Sequence, residues 1–309
     1  MARTMCAIAL LAAALAPRAA RGQIFVENNV GGDVEEYGLD GTPMNTSLIP
    51  RLHDAEGIAT SGSNLFVTYD NFTINEYTMS GATVSAPWVG SGLSDPYYIA
   101  VSGSNVFVSN FSADAVGEYA LSGSPLNVPF VSGVHEPESV AVSGSDVFVM
   151  TGSGVNEYTA AGALVSASLI PTSTQYGMSG MAISGSNLFI VSSKAIGEYT
   201  LGATPGTIAS SNPSLITGLN NGYGIAVLGS DIYVTTDGLG LTGAVGEYTT
   251  SGGVVNADLI SGLDTPYGIV VVPEPATGAI AVVAGLALLA RRPRRQTEQG
   301  NENSGTVEQ

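Results

Sequence analysis

Between positions 23 and 272 the apolar residues fall into short runs separated by Ser, Gly and Asn. One stretch shows the order. Tyr98-Ile99-Ala100-Val101 is followed by a Ser-Gly-Ser-Asn turn, and Val106-Phe107-Val108 comes next. After a looser loop come Val116-Gly117-Glu118-Tyr119, a Ser-Gly turn, and a variable run from Val128 to Val131. Short runs bounded by turn formers predict strands and hairpins. Forty glycines and an abundance of Ser, Thr and Val point the same way, away from helices.

The pattern repeats. Gly62, Gly103, Gly144 and Gly185 centre Ser-Gly-Ser triplets spaced 41 residues apart, and Gly229-Ser230 follows 44 later. A Glu-Tyr pair recurs at Glu36-Tyr37, Glu76-Tyr77, Glu118-Tyr119, Glu157-Tyr158, Glu198-Tyr199 and Glu247-Tyr248. Four strands per repeat of ~40 residues is the arithmetic of a β-propeller blade. The phase gives the count. The second-strand motif occurs six times, starting at Ile24-Phe25-Val26, and the first-strand motif also occurs six times, ending at Gly268-Ile269-Val270. The expectation is an all-β, six-bladed propeller over residues 23–272. In it Tyr267–Val272 completes the blade begun by Ile24–Val26, closing the ring and hiding both edges.

Charge separates this middle from the ends. It holds two cations, Arg51 and Lys194, against 22 carboxylates. So acidic a domain is unsuited to nucleic acid, which needs a basic face. The other seven arginines lie near the two ends. At the front, Arg3, the apolar run Cys6 to Leu15 and Ala20-Arg21-Gly22 read as a secretory signal peptide over residues 1–22, with Gln23 as the new N-terminus. Ten apolar residues span only ~15 Å of a ~30 Å hydrocarbon core, too little for an anchor. The only cysteine, Cys6, would leave with the leader, so the mature chain has no disulfide.

At the back, residues 273–295 hold Pro273-Glu274-Pro275, an apolar segment over residues 276–290, and the cluster Arg291, Arg292, Arg294 and Arg295. A polar tail, 296–309, follows. Two prolines end the preceding strand, and the arginines hold their end of a short membrane helix in the cytoplasm. The order resembles the PEP-CTERM sorting signal of Gram-negative bacteria. That resemblance implies processing by a membrane exosortase and delivery to the cell envelope, cell surface or exopolysaccharide matrix. The polar tail departs from the pattern, since such signals usually end near the arginines.

Within the repeats, Pro266-Tyr267-Gly268-Ile269-Val270-Val271, Gly224-Ile225-Ala226-Val227 and Val147-Phe148-Val149 resemble the NHL and streptogramin-lyase-like six-bladed propellers. The likeness bears on the fold more than on the function, because propellers host enzymes, receptors and scaffolds alike.

The six Glu-Tyr pairs do not read as a site. A feature present in every blade serves each blade, so the tyrosines are expected to pack between blades and the glutamates to be hydrogen-bonded or solvated. Trp88, the only tryptophan, is also expected to pack between blades. The loops leading into each first strand are better candidates, since they gather on one face around the channel. They carry His53-Asp54-Ala55-Glu56, Ser94-Asp95-Pro96-Tyr97, His135-Glu136-Pro137-Glu138, Gln175-Tyr176-Gly177, Asn221-Gly222-Tyr223 and Asp264-Thr265-Pro266-Tyr267. Oxygen ligands from Asp54, Glu56, Asp95, Glu138 and Asp264 would suit Ca²⁺. His53 and His135 with Glu136 and Glu138 would suit acid/base work, as lyase-like and gluconolactonase-like propellers imply. No histidine follows His135, so the lyase pattern of a histidine in later blades is missing. The leading expectation is therefore an exported binding or structural module, with exopolysaccharide, Ca²⁺ or another surface protein as partner. The alternative is a metal-assisted lyase or lactonase.

Overall fold

A computed structural model describes residues 22–52, 55–69, 72–171, 178–238 and 242–273. It contains six four-stranded antiparallel sheets. Their first strands are β4 (Ala55–Ser61), β8 (Pro96–Ser102), β12 (Ser139–Ser143), β16 (Met178–Ser184), β20 (Gly222–Leu228) and β24 (Pro266–Val272). Each touches the first strands of both neighbouring sheets, and β24 returns to β4, so these six strands surround a common axis. The second strands are β1 (Gln23–Asn28), β5 (Asn64–Tyr69), β9 (Asn105–Asn110), β13 (Asp146–Thr151), β17 (Asn187–Ser192) and β21 (Asp231–Thr236). The chain is a six-bladed β-propeller.

The ring closes where the repeat phase places the seam. β24 pairs with β1, with Ile24 opposite Val271 and Val26 opposite Ile269, and β2 (Asp33–Gly38) and β3 (Pro43–Pro50) complete that blade. Within each blade the first two strands are joined by a tight turn. Ser61 pairs with Asn64 across Gly62, whose φ of +58° suits the first central position of a two-residue hairpin.

The hydrophobic core lies between blades. Phe25, Val34, Leu48 and Ile49 of one blade pack on Leu65, Val67, Tyr69 and Tyr77 of the next, and five further interfaces repeat the arrangement. All six repeat tyrosines are buried in these interfaces. Trp88 joins them: its ring centroid lies 4.8 Å from that of Phe66, and its Nε1–H donates to Leu121 O of the adjacent blade at 3.1 Å. The repeat glutamates face the start of their own second strand. Asn64, Asn105 and Asn187 donate to Glu76, Glu118 and Glu198 at 2.6, 2.7 and 2.7 Å.

Two sequence boundaries change. The fourth strand expected from Val128 to Val131 runs from Pro125 to Ser132, and the first strand expected from Tyr98 begins at Pro96. Pro96 has no N–H to donate and reads as a turn residue, yet it sits at the strand's end opposite Asn110. The second change matters for function, because residues expected on loops lie on strands.

The leader residues 1–21 lie outside the described residues. So do Glu274, Pro275, segment 276–290, Arg291, Arg292, Arg294, Arg295 and the tail. Pro273 is the last described residue and is exposed. Among the described residues no helix is long and apolar enough to cross a membrane.

Candidate functional site at the mouth of the central channel

Five of the six first strands are irregular at their beginning. In β4 the pairing with β5 slips between Ala55 and Ile58, and in β8 it slips between Pro96 and Ile99. β16, β20 and β24 break register at the same place. A bulge re-aims the side chains it carries. Here those residues are Glu56, Tyr97, Ser179, Tyr223 and Tyr267, and the sixth blade adds Glu138 just before β12. These six equivalent residues, with Tyr98, line one cavity of about 240 Å³. The six first strands also line the central channel, a space of about 330 Å³, and Tyr98 borders both spaces.

Buried hydroxyls hold three of the bulges. Thr68 Oγ1 accepts the Gly57 N–H at 2.8 Å and lies 3.1 Å from Tyr97 O of the next blade. Ser109 accepts the Tyr98 N–H at 2.9 Å, and Thr235 the Gly224 N–H at 2.7 Å. Thr235 also donates to Tyr267 O at 2.8 Å. Each hydroxyl thus fixes its own bulge and also reaches the mouth residue of the following blade, Ser109 Oγ lying 3.4 Å from Glu138 O. In the seam blade the corresponding position is Glu27, a fully buried carboxylate whose Oε2 lies 3.4 Å from the Gly268 N–H.

The aromatic walls brace one another and are held from outside by Phe111 and Asn221. Tyr97 stacks on Phe111 with centroids 4.7 Å apart, and Tyr223 leans on Tyr267 at 4.4 Å. Asn221 Nδ2 donates to Tyr223 Oη at 3.1 Å, and Tyr98 Oη–H reaches Tyr223 O at 3.3 Å. The electrostatics are those of a desolvated acidic pocket. Burial, and then the charge of Glu136, pushes the Glu138 carboxyl up to about 7. Burial pushes the Tyr97 hydroxyl up to about 12, helped by Glu56, Asp95 and Glu138. The Tyr98 hydroxyl is raised for the same first reason, and both Glu56 and Glu138 act on it. Both carboxylates therefore bear on the same pair of tyrosines.

The sequence candidates separate into two groups. Glu56, Tyr97, Glu138, Tyr223 and Tyr267 come together at the mouth. Asp95, Asp264, His135 and Glu136 are not among its lining residues. Asp95 accepts from Ser112 Oγ at 3.1 Å, and Asp264 is exposed at the seam. His135 is 82% exposed, its Nδ1 3.3 Å from Asp114 Oδ1, and Glu136 caps the same surface turn by donating its N–H to Asp114 at 2.9 Å. His53, Asp54, Gln175, Tyr176 and Gly177 lie outside the described residues. Among the described residues no three His, Cys, Asp or Glu side chains are grouped to hold a metal ion, and no histidine lines the mouth. Tyr98, Ser179 and Glu27 were not singled out by the sequence. Counting two residues back from Ile58, Ile99, Val140, Met181, Ile225 and Ile269 would have found Ser179, and the repeat register would have set Glu27 beside Thr68, Ser109 and Thr235.

The fold has known counterparts, whereas no family model and no curated protein matches the sequence. A chain from the crystal structure of a Nidogen/Laminin complex is similar over 81% of this chain and 98% of its own, at a TM-score of 0.63 and 13% identity. A functionally unknown protein from Desulfotomaculum acetoxidans DSM 771 is similar over 82% of this chain and 86% of its own, at a TM-score of 0.56 and 14% identity. At such identities the likeness establishes a shared propeller fold.

Proposed function

We propose that this protein is an exported binding module, displayed at the envelope surface of a Gram-negative bacterium by a PEP-CTERM-like signal, and that its ligand enters the mouth of the central channel. The observation carrying this reading is the convergence at the mouth. Of six equivalent positions, five hold Glu or Tyr, each turned into one cavity from a different blade. Equivalent positions in a repeat fold that serve only packing stay apolar and similar, as Ile58, Ile99, Val140, Met181, Ile225 and Ile269 do two residues later. A few polar groups converging on an aromatic-walled cavity is the ordinary form of a binding site. Export rests on the leader and on the Pro273–Arg295 sequence pattern. The resemblance of the repeats to NHL-type propellers bears on the fold alone.

The test is retention of the purified full-length chain on surface material from its parent cells. Ser179→Trp puts a large side chain into the mouth from its smallest lining residue. The expected result is loss of retention with an unchanged melting temperature. Retention equal to that of the unaltered chain would overturn the assignment of the mouth.

A further inference from the structure

The class of ligand can be read from the chemistry of the same cavity, an inference that rests on the mouth being the binding site. The lining offers acceptors and rings. Glu56 and Glu138 bring two carboxylates, and Tyr97, Tyr98, Tyr223 and Tyr267 bring four aromatic side chains. Lys194 and Arg51, the cations of the propeller, do not line it. Among the described residues the ion pairs are those of His135 with Asp114 and Glu136, so none involves Glu138.

Three ligand classes fail against this lining. Anions meet two carboxylates. Hard metal ions want six or more oxygen ligands, and the walls are mostly apolar ring surface. A neutral polar ligand leaves a half-buried carboxylate without a counter-charge. An organic cation satisfies both parts, because ring quadrupoles and carboxylates attract positive charge while the carbon body keeps water out. At about 240 Å³ the cavity is smaller than the roughly 300–1,000 Å³ of drug-sized sites, so it takes a head group.

We propose that the mouth binds an organic ammonium group, presented by a small amine or by a lysine side chain of a partner chain. Glu138 is the principal counter-charge, and the tyrosines form the walls. The desolvated state of Glu138 fits this, since a bound cation stabilises its ionised form. The groups facing it are Glu136 behind, and Glu56, Tyr97, Tyr98, Tyr223 and Tyr267 around the cavity. Because burial holds the Tyr97, Tyr98 and Tyr267 hydroxyls protonated well above neutrality, the proton released near pH 7 on binding is that of Glu138.

The full-length chain is titrated calorimetrically with n-butylammonium, with a peptide bearing one internal lysine, and with glucose and tert-butanol as neutral probes. Both ammonium probes are expected to bind, with affinity rising from pH 6 to pH 8. Glu138→Gln weakens them about tenfold or more, the worth of one charge-assisted contact, and removes the pH dependence. Tighter binding of the peptide identifies a protein partner as the source, and tighter binding of butylammonium identifies a free amine. Failure of both ammonium probes, or unchanged affinity in Glu138→Gln, overturns the inference, as does equal binding of the neutral probes. If Ser179→Trp still abolishes retention in that case, the mouth stands as the site and only the ligand class falls. Melting curves of Glu138→Gln, whose side chain keeps its shape, confirm that loss of binding is not loss of fold.

Discussion

Asn28 Oδ1 accepts the backbone N–H of Asp264 at 2.7 Å, a bond between residues 236 positions apart. It staples the end of the first strand to the turn before the last one. The same Asn28 donates through Nδ2 to the buried Glu35 at 3.0 Å, so one amide ties three segments at the seam.

Ring closure is therefore expected to dominate stability. A chain ending before Tyr267 exposes β1, a strand buried along its whole length, as a free edge. Its melting temperature should fall sharply, whereas a chain ending after Pro273 should melt like the parent. Asn28→Ala should cost about 1–3 kcal/mol, since it leaves a buried carboxylate and an amide short of a bond. Urea denaturation of the three variants measures this.

Thr68→Val should destabilise the propeller by about 1–3 kcal/mol, because it strands the Gly57 N–H, which the hydroxyl now accepts in a fully buried position. It should also loosen Tyr97, whose carbonyl the same hydroxyl contacts, and so weaken mouth ligands. Equal stability of Thr68→Val and the parent in urea would remove the hydroxyl from this role.

Two glycines should respond in opposite ways. A Cβ on Gly224 would lie 2.1 Å from Tyr267 O, a backbone atom of the next blade, whereas a Cβ on Gly103 meets nothing. Gly224→Ala should cost about 1–3 kcal/mol or more through forced separation of blades. Gly103 needs only its left-handed backbone, with φ +59°. Gly103→Asn, a residue that tolerates that region, should melt within a few degrees of the parent. Differential scanning calorimetry separates the two.

The raised carboxyl of Glu138 gives stability a pH dependence of known sign. Its folded value, about 7, lies above the ordinary 4.5. The folded state then holds the proton more tightly than the unfolded chain does. The resulting stability is complete below pH 4.5 and is lost as pH rises to about 7. Glu138→Gln should flatten the urea midpoint across that window. A decline of the same steepness in the variant would assign the effect to other carboxylates.

Deleting Arg291 to Arg295 should leave the propeller's melting unchanged and alter where the protein accumulates. Cell fractionation with protease shaving reads the destination. Undiminished surface display of the deletion would remove the sorting reading.

The fold was legible in the sequence because each blade repeats its turn signals. Gly62, Gly103, Gly144 and Gly185 hold one φ at one place in the hairpin, and the offset between first and last strand motifs fixes blade number and seam. The site was legible only in part. Glu56, Tyr97, Glu138, Tyr223 and Tyr267 could be picked out as converging near the axis, but Asp95, Asp264 and Glu136 carry the same polarity in the same segments. What separates them is one residue of bulge, which sends Tyr97 inward while Asp95, two positions earlier, bonds Ser112. Turn composition does not encode that shift. Glu27 escaped because a lone acid inside the run Ile24–Asn28 reads as a strand end, and its burial depends on the last strand folding over it.

The shared blade also orders events during synthesis. Among the propeller strands β1 is made first, and its partner β24 leaves the ribosome last. Until position 272 emerges, β1, buried at every position in the closed ring, waits with one side bare. Five blades can assemble in sequence, but the sixth behaves as a latch that only a finished chain can fasten. Premature termination therefore yields a sticky, open ring, a hazard that a chaperone or a rapid crossing to another compartment would relieve.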